Sequence, residues 1–158
     1  MKGQTALEYL ITYGWAILVI LVVLAVLWYY GVFNPAKWSG ESVSEGSAFK
    51  VVDKQLSSAG TFRLVLGDKT GTSTSISNVN VSGDVNGQID LSAAPVVIPA
   101  GGQMSGNAAV AGGVITVTGI TPTPSAGSFY KFTVTTTYQA TGGLAGQKDV
   151  ASYNIKAV

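Results

Sequence analysis

The chain contains neither cysteine nor histidine, and only 11% of its residues carry charge. The missing cysteine excludes disulfides and thiolate metal sites. The missing histidine removes the commonest general base and the commonest metal ligand, and with them serine–histidine nucleophiles, HExxH zinc sites and cysteine–histidine pairs. Asp84 and Asp90 keep paired-carboxylate chemistry formally open, but two aspartates in a glycine- and asparagine-rich stretch are turn formers first. No enzymatic activity, catalytic residue, metal or cofactor is expected. An excess of one sign of charge is missing too. Nine basic and eight acidic side chains give a net charge of +1, so no basic surface awaits nucleic acid and none is expected as a partner.

What the chain has is apolar surface, 47% of its residues, with the densest run near the N-terminus. No charge falls between Glu8 and Lys37, and Leu10 to Phe33 is apolar on every side of a helix, which demands burial all round. At about 1.5 Å of rise per residue this run reaches roughly 36 Å, enough to cross about 30 Å of hydrocarbon. Asn34-Pro35 is expected to end the helix, since proline cannot continue the ladder and biases its predecessor toward extended backbone. Trp28, Tyr29, Tyr30 and Phe33 suit an aromatic belt at the headgroups. With Lys2 at one end and a long polar segment at the other, the N-terminus is expected in the cytoplasm and the remainder outside. A conventional secretory peptide fits poorly: its apolar core spans about 7 to 15 residues, and VFNPAKW offers no small-residue cleavage site. Glu8, at the mouth of the run, has two bland explanations, the headgroup region and the helix dipole. Neither explains the order KGQTALE.

The stretch KGQTALEYLITYGWAIL resembles the class III signal peptide of archaeal type IV pilin-like proteins. In that family a prepilin peptidase cuts after a glycine that precedes a Q-x-S-x-E-x-x-x-L pattern. The family's glycine falls on Gly3, its glutamine on Gln4 and its glutamate on Glu8, while its serine and leucine positions hold Ala6 and Thr12. The resemblance covers about the first 35 residues. It implies cleavage between Gly3 and Gln4, which removes the leader 1–3 and leaves the apolar helix, 4–35, on the mature chain. That helix would span the membrane first and form a filament core later. The resemblance also implies a register role for Glu8, paired with the new α-amino group at Gln4 of a neighbouring copy. An unpaired carboxylate is costly in a low-dielectric bundle. The expected partners are further copies in a helical homopolymer, the prepilin peptidase, a membrane assembly platform and, before assembly, the lipid bilayer.

Residues 36–48, AKWSGESVSEGSA, read as a linker. From Phe49 the period becomes two. Phe62, Leu64 and Leu66 share one face with Arg63 and Val65 opposite. Tyr130, Phe132, Val134 and Tyr138 alternate with Lys131, Thr133 and Thr135, and Ala151, Tyr153, Ile155 and Ala157 alternate with Ser152, Asn154 and Lys156. Shorter candidates surround Val51, Ile76 to Val81, Ile89, Val96 to Ile98 and Ile115 to Val117. Such strands, separated by Gly, Pro, Asn and Ser, predict an antiparallel sandwich over 49–158, of the size of an immunoglobulin-like domain. The fold class is therefore α+β: a long hydrophobic helix followed by an antiparallel, immunoglobulin-like β-sandwich. GGQMSG and TGGLAGQ match no phosphate-binding pattern and are expected to be hairpin connections. Asn80-Val81-Ser82 is an N-x-S acceptor, a candidate glycosylation site on an exported surface. Three functions compete: a filament subunit for adhesion or cell contact, a monomeric membrane-anchored binding module, and a minor pseudopilin of a secretion system.

Overall fold

The computed structural model describes residues 2–30, 32–33, 40–105 and 110–158. They fall into two compact units, one up to Ser39 and one from Gly40 to Val158. The first is a single helix, α1 (Lys2–Tyr29). Its described side chains are exposed along almost the whole length, and the 24 residues from Ala6 to Tyr29 form a segment long and apolar enough to cross a membrane.

Regular helix ends at Tyr29, earlier than the proline suggests, and Asn34-Pro35 lies outside the described residues. The amide of Val32 donates to the carbonyl of Leu27 at 3.0 Å. This is the six-to-one bond with which helices close at a glycine, and Gly31 precedes the donor in the sequence.

The second unit is an antiparallel β-sandwich. Its strands are β1 (Ser42–Ser44), β2 (Phe49–Ser57), β3 (Thr61–Asp68), β4 (Thr74–Gly83), β5 (Gly87–Asp90), β6 (Val96–Ile98), β7 (Ile115–Thr118), β8 (Phe129–Ala140) and β9 (Gln147–Lys156). The larger sheet runs β1-β9-β8-β4-β5, with β6 also paired to β4, and the smaller runs β2-β3-β7. Both β5 and β6 use the same edge of β4, β6 along Thr74–Ile76 and β5 along Asn78–Val81, while the other edge, paired with β8, carries a bulge between Ile76 and Asn78.

Alternation fills the space between the sheets. Phe62, Leu64 and Leu66 of β3 are buried while Arg63 is exposed. Phe132 and Tyr153 are directly opposite across β8 and β9, and their rings stack 5.5 Å apart. Phe62 of the other sheet meets both edge-on, at 5.1 and 5.7 Å. Such edge-to-face contacts add about 0.5–1.5 kcal/mol each beyond area burial. Burial, reinforced by Glu45 and Asp149, pushes the Tyr153 phenol far above its usual range. Gly83 closes β4 with a φ of 144°, and a Cβ there would lie 2.8 Å from the carbonyl oxygen of Lys131.

Two expectations are corrected. The segment 36–48 is not a linker throughout. Residues 36–39 lie outside the described residues, but the sandwich unit already begins at Gly40, and Ser42–Ser44 pair with Asn154, Tyr153 and Ser152 as β1. The GGQMSG stretch is not a hairpin: it lies on the path from β6 in one sheet to β7 in the other. Its described part binds β3, with Met104 N–H donating to Leu66 O at 3.0 Å. TGGLAGQ, by contrast, joins β8 to β9 as a hairpin.

Candidate functional sites

The start of α1 carries the residues that the signal-peptide resemblance singles out. Gly3 and Gln4 belong to the helical backbone, and Glu8 lies one turn beyond Gln4 with its side chain exposed. No acidic residue stands in the first turn of α1. The dipole account of Glu8 is weak for that reason, since the effect fades within one turn.

Helical spacing makes Glu8 and Thr12 one neighbouring pair at this end, and Tyr9 and Tyr13 another, on a stripe further round the helix. The Thr12 hydroxyl donates to the carbonyl of Glu8 at 2.9 Å, a local bond that removes it from external recognition. The Tyr9 hydroxyl donates to that of Tyr13 at 3.0 Å, and the two rings stack at 4.4 Å.

A second cluster fixes the start of the sandwich, and sequence reading missed it. Asp149 of β9 is buried. Its Oδ1 accepts from the amides of Ser47 and Ala48 at 2.7 and 3.1 Å and from the Ser47 hydroxyl at 3.2 Å. Its Oδ2 accepts from the amide of Phe49 at 3.2 Å. The carboxylate also fills the space that a side chain at Gly46 would need. Around it, Glu45 accepts from the amide of Val51 at 2.7 Å and pairs with Lys69 at 2.6 Å. The hydrogen bond from Lys69 leads the causes that hold the Glu45 carboxyl below its usual range. Glu41 accepts from the amide of Lys156 at 3.2 Å, and the Asn154 amide donates to Gly40 O at 3.4 Å. Asn154, expected to face outward, is buried under this lead-in segment. Residues 40–49 are thus held to β9 at both of its ends.

The modification candidate sits in β4. Asn80 and Ser82 face outward and are exposed, with Val81 buried between them. Asn80 is flanked by Gln88 of β5 and Thr135 of β8. In the next row Ser44, Ser152, Thr133 and Ser82 stand side by side across four strands, and they line a depression of about 330 Å³ with Lys131 and Asn154. The outer face there is polar and nearly uncharged.

The remaining acidic residues work as turn and loop ties. Asp84 accepts from the amide of Lys131, and Asp90 from the amide of Ser92, each at 2.8 Å. The Ser92 amide and hydroxyl hold the Asp90 carboxyl below its usual range. Asp68 is buried. Desolvation raises its carboxyl, but the Thr70 hydroxyl and the amides of Gly101, Thr70 and Gly71 outweigh this and lower it. Among the described residues no three acidic side chains converge on a point that could hold a metal ion. The signal for Asp68 was in the sequence, as DKTG is an Asx-turn pattern. Asp149 left none, because its partners lie about a hundred residues away. No protein-family model matches the chain, and no curated protein matches it.

Proposed function

We propose that this chain is the structural subunit of an extracellular, type IV pilin-like helical filament used for adhesion or cell contact. It would be membrane-embedded as a precursor with its N-terminus cytoplasmic, cut between Gly3 and Gln4 by a prepilin peptidase, and assembled on a membrane platform. The observation that carries the reading is the contrast inside the helix. A 24-residue apolar segment, none of it buried, follows a glycine–glutamine junction and carries one carboxylate, Glu8, near its start. An anchor needs the apolar length alone. A filament needs the length, a way to free it from its leader, and a polar group that fixes register within the bundle.

One edge of the sandwich is blunted against strand addition, which suits the outer-sheath role. The free side of β2 is closed at one end by the C-terminal residues, through Ser58 N–H to Val158 O at 2.7 Å and Val158 N–H to Leu56 O at 2.9 Å. Near its other end it carries a bulge between Val51 and Asp53. Both features discourage strand addition between copies. The sparse charge and the polar outer face suit a sugar-coated surface, with Asn80 as the glycan acceptor. Mass spectrometry of surface-extracted protein, with electron microscopy of the same material, tests the reading. A mature start at Gln4 together with filaments supports it; an intact Met1 and no filaments would leave a membrane-anchored binding module.

A further inference from the structure

Two phenols that share one hydrogen bond leave one proton over. Tyr9 donates to Tyr13, so the surplus proton is on the Tyr13 hydroxyl, and accepting a bond makes that hydroxyl a better donor. Within the apolar span, where water is absent, such a proton needs an acceptor. Among the described residues Tyr13 finds none, and the Glu8 carboxylate meets no donor. The two cannot meet in one copy. Five residues of helix separate them by about 140° around the axis and about 7.5 Å along it.

We infer that the Tyr9–Tyr13 phenol pair of one copy donates, through the Tyr13 hydroxyl, to the Glu8 carboxylate of a second copy. The contact rests on the filament reading above and specifies its geometry. Donor and acceptor occupy different sides of the helix, so the interface joins unlike patches and leaves one of each free at either end. Contacts of this kind propagate into open helical polymers and do not close as dimers. The neighbour that supplies Tyr13 is displaced by about 7.5 Å toward the N-terminal end of the helix. A neighbour offering the amine of Gln4 to the same carboxylate is displaced the opposite way, by about 6 Å. The two oxygens of Glu8 therefore serve two different neighbours, and the phenol contact survives if the terminal glutamine cyclises and loses its amine.

The absence of native cysteine makes the test clean. Chains carrying Glu8→Cys and chains carrying Tyr13→Cys, both diluted into filaments of the unaltered chain and treated there with a bismaleimide, are expected to cross-link to one another. Either variant diluted alone should stay uncross-linked. Tyr13→Phe, which removes only the hydroxyl, should lower filament yield about tenfold, and Tyr9→Phe should lower it less. No cross-link between the two variants in such filaments overturns the head-to-tail contact. So does Tyr13→Phe with an undiminished yield. In either case filaments of the unaltered chain leave the broader reading standing. If the unaltered chain forms no filaments, that reading falls and this contact falls with it.

Discussion

The helix and the sandwich treat apolar surface in opposite ways. In the sandwich, Phe62, Leu64, Ile76, Val79, Ile115 and Ile155 are buried to the last few per cent by the chain's own second sheet. In α1, Leu10, Leu18, Leu21 and Trp28 remain at least half exposed. One unit is finished by its own sequence. The other can be finished only by lipid or by another protein. The polar groups follow the same division: Asp68 and Asp149 receive several hydrogen bonds each from within the sandwich, whereas the Glu8 carboxylate receives none from the described residues of α1.

This comparison breaks if changes in one unit reach the other. Phe62→Ala should have the largest effect, costing the sandwich about 3–5 kcal/mol in chemical denaturation while membrane insertion of α1 is unchanged. Asp149→Ala should come next. It strands three amides beside β9, and a loss of about 3 kcal/mol is expected, together with faster proteolysis at residues 40–49. Val19→Lys should leave unfolding of the sandwich untouched but disfavour insertion by about 2.5–3.5 kcal/mol, measured by membrane partitioning. Acid should have a smaller effect. The carboxyls of Glu45 and Asp68 titrate lower in the folded chain than in the unfolded one. Their contribution is therefore complete above the unfolded carboxyl range, near pH 4 to 5, and is lost as the pH falls through the folded values. Unfolding midpoints measured from pH 6 to pH 2 should decline in that window. Added salt should weaken only the exposed Glu45–Lys69 part, by less than about 1 kcal/mol.

Part of the sandwich was legible because some of its strands are half-buried and alternate. In β3 and β8 the apolar face expected from period two is the buried face. The helix was legible for the opposite reason, an apolar run with no alternation at all. Where the sequence misled, the cause was tertiary. SVS has no strand signal, and Ser42–Ser44 become β1 only because β9 offers a free edge and Asp149 pins the residues that follow. Asn154 alternates outward but is covered by the lead-in segment that its own side chain binds. GGQMSG looked like a turn because of its glycines, and the sequence does not show that β6 and β7 belong to different sheets. At the helix end, the proline drew attention beyond Tyr29, where regular helix stops. For the candidate sites, Glu8 was visible as a charge out of place, but the Tyr9–Tyr13 pair beside it needed coordinates.

The central claim is that α1 keeps its apolar surface exposed for other copies of itself. N-terminal sequencing and electron microscopy of protein sheared from intact cells test it most directly. The account predicts chains that begin at Gln4, packed as filaments with α1 protected from proteolysis in their core. Chains that begin at Met1, released only by detergent and monomeric once solubilised, would contradict it.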